Sequence, residues 1–277
     1  MIRLLQIEFI KLWNNRASKV LIISYFALLT SIALVAAIKF DIGPIKFNLA
    51  DQGIFNFPYI WHFNTFITAF FKLFLAIVIV SMMSNEYSNK TIKQNLIDGL
   101  SKKEFILSKF LTVITFALVS TIFVFLVSLV LGLIYSDFTE ISIILSDLEF
   151  LFAFFIKLTG FFSFCLFLGV LVKRSAFALG FLILWQVFEG IFRGIIRWKF
   201  FDGETTDVIM GFFPLQAMFN LIKEPFSRLG AVQSVVNQMG ETLALDYYIQ
   251  WYEIVIVMAW IAIFIYGSYA ILKRRDL

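Results

Sequence analysis

Residues 110–136 read FLTVITFALVSTIFVFLVSLVLGLIYS, a run without one charge or proline. A helix of that length is about 40 Å long, more than the roughly 30 Å of hydrocarbon in a bilayer. Inside lipid every backbone N–H and C=O needs a partner within the protein, so such a segment is a helix or a strand of a closed barrel. A barrel strand needs two-residue alternation of apolar and polar side chains, and this run has none. It is read as a membrane-spanning helix.

The composition extends that reading to the whole chain. Hydrophobic residues make up 61% of the 277 positions and charged residues only 15%, with 36 phenylalanines and a mean hydropathy of +0.90. A water-soluble core cannot absorb that much apolar surface. Four prolines and 14 glycines are too few for a turn-rich barrel. Further spans are predicted at residues 20–38, 65–84, 150–172, 176–196 and 251–272. The fold predicted is an all-α polytopic membrane protein, one domain over residues 1–277 with six transmembrane helices. The aromatic cluster Phe55, Phe57, Tyr59, Trp61 and Phe63 resembles an interfacial belt, which would let the second helix begin before residue 65.

Loop charge predicts the orientation. With the N-terminus inside, the cytoplasmic segments hold fourteen lysines and arginines and the outer segments six, four of them in one long loop. Both ends are therefore expected in the cytoplasm. Residues 2–13 place Leu5, Phe9 and Leu12 or Trp13 opposite Arg3, Gln6 and Lys11, which suits an amphipathic helix in the inner headgroup plane, or else a plain continuation of the first span. A charged stretch before the first apolar run, with no small-residue cleavage site after it, predicts that this run is retained. Residues 197–250 are too long for a simple connection. Within them, residues 208–222 (VIMGFFPLQAMFNLI) are apolar but too short to cross and are interrupted by Pro214, which predicts a re-entrant or interfacial hairpin. Residues 229–245 read as a surface helix.

A single cysteine, Cys165, excludes an internal disulfide, and a single histidine, His62, excludes multi-histidine metal sites. No internal repeat of the inverted kind is visible. No Ser/His/Asp set or carboxylate pair stands at a plausible interface, which argues against an enzyme acting on lipid.

The most specified loop is residues 85–109, NEYSNKTIKQNLIDGLSKKEFILSK. Ile92 and Leu96 share one face of a short helix, with Lys93, Gln94, Asn95 and Asp98 elsewhere, and Gly99 sits where a left-handed cap is needed. Ser101 and Glu104 then form a capping box, flanked by Leu100 and Phe105 at the positions of a hydrophobic staple. By periodicity alone the loop is equally a docking surface for a cytosolic partner and a simple amphipathic cap.

Glu86, Asn89, Thr91, Leu96, Ile97, Gly99, Ser101, Lys102, Phe105 and Lys109 together resemble the coupling segment of ABC-2 type permeases, the membrane subunits of ATP-binding-cassette exporters. The entry helix, the six spans, the enlarged outer segment and the closing LKRRDL are similar to that class over the whole length. Lys90 stands where many relatives carry glycine, a departure that bears on the local turn. The resemblance implies a multi-pass protein of a bacterial inner membrane, paired with a second copy or a paralogue and docked on a separate ATPase subunit through this loop. It also implies that ATP and Mg are bound by that subunit. The sequence agrees: no G-x-x-x-x-G-K-[ST] is present, so this chain is not expected to hydrolyse ATP by itself. No cofactor and no nucleic-acid partner is expected; membrane lipid is.

Five charges fall inside the predicted spans: Lys72, Lys157, Glu189, Arg193 and Glu253. Such residues are functional candidates because burial in hydrocarbon is costly. Glu189 and Arg193, four apart, are expected to pair. Lys72 and Lys157 enter at comparable depth, with Glu189 or Glu253 as possible acidic partners, and either line an outer cavity through which a substrate leaves or snorkel. The apolar inner halves of the first, third and fourth spans point to a hydrophobic or amphipathic cargo. A non-transporting scaffold or sensor using the same loop, and an ion-coupled secondary transporter built on Lys72, Glu189 and Arg193, are the alternatives from other classes.

Overall fold

The computed structural model describes residues 2–36, 39–42, 45–48, 53–229 and 247–275. Its elements, in chain order, are α1 (Ile2–Asn14), α2 (Arg16–Ala36), a short antiparallel hairpin of β1 (Lys39–Ile42) and β2 (Ile45–Asn48), α3 (Tyr59–Thr68), α4 (Lys72–Ser88), α5 (Thr91–Ile97) and α6 (Lys102–Tyr135). There follow α7 (Ile141–Ile144), α8 (Glu149–Val172), α9 (Ser175–Lys199), α10 (Gly203–Met210), α11 (Pro214–Asn220) and α12 (Trp251–Arg274). Apart from the hairpin the architecture is all-α, as predicted. The predicted surface helix at residues 229–245 lies almost wholly outside the described residues.

Five helical runs among the described residues are long and apolar enough to cross a membrane: Tyr59–Ser88, Lys102–Tyr135, Ile141–Val172, Ser175–Lys199 and Trp251–Arg274. The first predicted span coincides with α2, whose 21 residues give about 31 Å of helix. The second run starts at Tyr59 rather than at residue 65, and α3 and α4 are joined by a 3₁₀ turn, Ala69–Phe71, in its middle. The aromatic cluster ahead of it is not an interfacial belt. Phe55, Phe57 and Trp61 are fully buried, because they pack against neighbouring helices instead of lying at the surface; Trp61, for instance, stacks on Phe125 of α6 at 5.5 Å.

α8 is the axis of the bundle. Of its most apolar stretch 78% is buried within the chain, against 17% for α9 and 22% for α12, so the latter two present most of their surface outward. Lipid tails are as apolar as leucine, so helices in a membrane are held by close packing rather than by exclusion of water. Gly160 of α8 meets that need: a Cβ there would lie 2.9 Å from Val257 Cγ1 and 3.2 Å from Met218 Cε. The absent side chain admits α12 on one side and α11 on the other.

The stretch predicted as a hairpin, residues 208–222, holds the end of α10 and all of α11, which Pro214 opens. Met218 and Leu221 are buried in the bundle, and Trp260 Nε1 donates to the Phe212 carbonyl at 2.9 Å. Trp260 is nine residues into α12, so this contact lies about 14 Å along that helix from its first residue. At the same end His62 is structural. Arg228 donates to its Nδ1 (3.1 Å), Nε2 faces the Lys223 carbonyl (3.0 Å), and the ring stacks on Phe150 at 4.1 Å.

At the opposite end of the bundle is the start of α6. Its 34 residues make about 51 Å of helix, some 20 Å more than the hydrocarbon requires. α5 and the first turns of α6 form a ledge there, and α1 packs beside them through Phe9 against Phe116 at 5.5 Å. α1 and α2 are separate helices, broken at Asn15, whose Oδ1 accepts from the Ser18 backbone N–H at 3.1 Å.

Candidate functional site

The ledge is fixed at each of its corners. Lys90, immediately before α5, has a left-handed backbone (φ 55°, ψ 21°), a conformation that disfavours side chains and suits glycine. That accounts for glycine being the residue resembled at this position. α5 ends in a Schellman motif: the Gly99 N–H donates to the Leu96 carbonyl (3.2 Å), the Leu100 N–H to the Asn95 carbonyl (3.0 Å), and Gly99 has φ +96°. α6 then starts at the predicted capping box. Ser101 Oγ accepts from the Glu104 N–H (3.2 Å) and Glu104 Oε2 from the Ser101 N–H (3.0 Å). Ile92 and Phe105 are buried beneath, and Leu96 and Leu100 half-buried. The upper face is left to solvent: Asn89, Lys90, Lys93, Gln94, Asp98, Lys103 and Ile97, which is 69% exposed.

Under the ledge lies a buried cluster of charges. Lys109 of α6 has no exposed surface, and its Nζ is 2.6 Å from Glu8 Oε2 of α1 and 2.6 Å from Glu86 Oε1 of α4. Lys11 adds a second cation, 2.9 Å from Glu86 Oε1 and 3.6 Å from Glu8 Oε1. The Thr91 hydroxyl at the start of α5 donates to Glu86 Oε2. Two acids and two bases neutralise each other, which is the condition for keeping ions out of water. Burial works against the Lys11 charge, but Glu8 and Glu86 outweigh it and raise its pKa above the usual 10.5. The result is one joint between α1, α4, α5 and α6. Glu86, Thr91 and Lys109 were legible in the sequence; Glu8 and Lys11 as members of the joint were not. The signal was an acid at position 8 on the same face as Leu5 and Leu12, where a core-facing stripe should be apolar.

A second tie brings in the end of the chain. Arg275 Nη1 donates to the Val170 carbonyl (2.6 Å) and the Tyr87 hydroxyl (2.8 Å), and Nη2 to the Leu171 carbonyl (2.9 Å). A guanidinium suits the partial negative charge of the last carbonyls of α8. Lys102 Nζ donates to the Arg275 carbonyl at 2.9 Å, so Lys102 holds the end of α12 and is not on the open face. Ser84 Oγ donates to the Lys173 carbonyl and accepts from the Ser175 N–H, both at 3.1 Å, joining α4 to the turn between α8 and α9. α1, the ledge and residue 275 thus meet at one end of the bundle.

The family model described as ABC-2 family transporter protein matches residues 5–277. The chain belongs to that family. No curated protein matches it.

The intramembrane charges of this ABC-2 transporter are arranged differently from the sequence expectation. Glu189 and Arg193 do not pair. Glu189 Oε1 accepts from Trp185 Nε1 (2.7 Å) and the Leu215 N–H (3.1 Å), and Oε2 from the Gln216 N–H (2.9 Å). Its carboxylate thus caps the N-terminus of α11, where free N–H groups and the helix dipole favour a negative charge. Arg193 turns to Asp207 of α10 at 2.6 Å. Both residues of α9 therefore fasten α10 and α11, a role requiring partners far along the chain that spacing does not reveal. Glu253 is buried in the first turn of α12. Lys72 and Lys157 have no carboxylate within 4 Å among the described residues. They line a cavity of about 520 Å³ between α3, α4, α8, α9 and α11.

Proposed function

We propose that this ABC-2 transporter is the permease subunit of an ATP-binding-cassette exporter, and that a separate ATPase docks on the exposed face of the α5–α6 ledge. The observation that carries this is the two-sided construction of the ledge. Its lower side is locked to α1 and α4 by the Glu8–Glu86–Lys109 joint, with Ile92 and Phe105 buried beneath, while Lys93, Gln94, Ile97 and Lys103 face outward. A rigid-body push on α5 is then passed to α1, α4 and α6 at once. A connection serving only to join two spans needs neither the caps nor the joint.

In this reading Asn89, Lys93, Gln94, Ile97, Asp98 and Lys103 meet the ATPase, and Glu86, Thr91, Ile92, Leu96, Gly99, Ser101, Glu104 and Phe105 hold the ledge in shape. α2 completes six spans, and both ends of the chain are cytoplasmic. The excess of basic residues on that side supports this, as does the meeting of α1, α5 and Arg275 at one end of the bundle. The protein resides in a bacterial inner membrane and pairs with a second permease. Nucleotide and Mg are held by the ATPase alone, and the cargo is hydrophobic or amphipathic. The contacts of Glu189 and Arg193 with α11 and α10 favour this reading over the ion-coupled one built on Lys72, Glu189 and Arg193.

Gentle detergent extraction from the native membrane followed by identification of co-purifying chains tests the reading. A nucleotide-binding subunit is expected with the native protein and is expected to be lost with Ile97→Asp at unchanged thermal stability. Intact complexes containing no nucleotide-binding chain would overturn it.

A further inference from the structure

Lys72 and Lys157 point to a ligand that the coupling role does not use. Lys72 follows the 3₁₀ turn in the middle of the Tyr59–Ser88 run, and Lys157 is the ninth residue of α8, about 12 Å along it. Both are therefore at membrane depth. Lys157 is 2% exposed. What the protein supplies to these ammonium groups is the ring of Phe161, 4.3 Å from Lys72 Nζ, the ring of Phe219, 5.5 Å from Lys157 Nζ, and the Phe219 carbonyl at 3.5 Å from the latter, the far limit of a hydrogen bond. Cation–π contacts offset only part of the hydration lost.

Among the described residues no acid lines the cavity, and the two on the neighbouring elements are committed elsewhere. Glu189 holds α11, and Asp207 is paired with Arg193, which lines the cavity but is half-exposed. The remaining wall is apolar except for the amides of Gln186 and Gln216, with Phe66, Leu182 and Met218 inside and Phe70, Leu73 and Ile183 on the outer surface of the bundle at membrane depth. Its opening thus faces lipid. A volume of about 520 Å³ falls within the roughly 300–1,000 Å³ of small-molecule pockets.

We propose that this cavity binds an anionic amphiphile entering from the bilayer, with its negatively charged head between Lys72 and Lys157 and its tail along Phe66, Phe70 and Leu73. The head is a carboxylate or a phosphate, on a free single-chain amphiphile or on a membrane lipid. The site does not depend on the transport reading, since binding needs no ATPase, and it is tested on the purified permease alone.

Trp185 lies between the lining residues Leu182 and Gln186 on α9 and serves as reporter. In nanodiscs of zwitterionic lipid, quenching of its fluorescence is titrated with 9,10-dibromostearate, its methyl ester, dibrominated phosphatidylglycerol and dibrominated phosphatidylcholine, with Trp185→Phe identifying the site's signal. Saturable quenching is expected from the acid, the anionic lipid or both, which identifies the source of the head, and not from the ester or phosphatidylcholine. Lys72→Met and Lys157→Met should each weaken binding of the acid about tenfold or more, while Lys72→Arg retains it. Saturable quenching by the ester equal to that by the acid, no saturable quenching by either anion, or unchanged affinity in a folded Lys72→Met Lys157→Met protein would overturn the proposal. The acid–ester comparison on the native protein decides it even if the variants misfold.

Discussion

Lys109 carries a charge into a site with no solvent exposure because two carboxylates meet it there. Lys109→Met removes the cation and leaves Glu8 and Glu86 facing each other with Lys11 alone, so it is expected to lower stability by about 3–5 kcal/mol. Thermal unfolding in detergent reads this; a midpoint equal to the native value would contradict the joint. Lys11 contributes differently, being partly exposed. Its raised pKa means that its contribution is complete at neutral pH and fades only as pH climbs through a value above 10.5. Lys90→Gly should do the opposite of Lys109→Met and raise stability by about 1 kcal/mol, since it relieves a left-handed backbone at a site whose side chain is exposed. An equal or lower midpoint would show that the strain is absent. Glu8 marks the limit of reading residues from sequence. Its place on the face of Leu5 and Leu12 sets it apart from a surface acid, but only the fold puts its partner, 101 positions away, beside it.

Among the elements, those specified by neighbours in sequence were legible and those specified by distant partners were not. The α5–α6 corner followed from Gly99, Ser101 and Glu104, because Schellman and capping-box geometry is local. The α11 stretch was visible as an apolar run cut by Pro214, but its seat on the bundle depends on Glu189 accepting from Leu215 and Gln216, 26 and 27 positions on. The expected Glu189–Arg193 pair failed for the same reason: backbone N–H groups of α11 and Asp207 of α10 compete better than an i, i+4 neighbour. Nor does the 3₁₀ turn at Ala69–Phe71 have a proline or glycine to announce it. Glu189→Ala is predicted to loosen α11 and leave the rest of the bundle in place. Hydrogen exchange should accelerate in residues 211–222 and remain unchanged in α8, whereas protection of 211–222 at the native level would remove Glu189 from that role.

At the scale of the molecule, α8 forms a packed axis, α9 and α12 turn most of their surface outward, and three separate stretches of chain converge at one end. Span number and loop charge led to the expectation that both ends lie on one side, made on six crossings where five runs among the described residues are long and apolar enough to cross. They were not enough to reveal that the Glu8–Glu86–Lys109 joint makes the ledge part of the bundle. A push on the ledge reaches the membrane helices only if something bears on Ile97 and its neighbours. The most direct measurement is crosslinking from Ile97→Cys in a Cys165→Ala background, in native membranes with the complex intact. The predicted result is a crosslink to a nucleotide-binding subunit, with the new thiol reached by a membrane-impermeant reagent from the cytoplasmic side alone. Labelling from the outer side, or a thiol that stays free of any nucleotide-binding chain while the complex is intact, would contradict it.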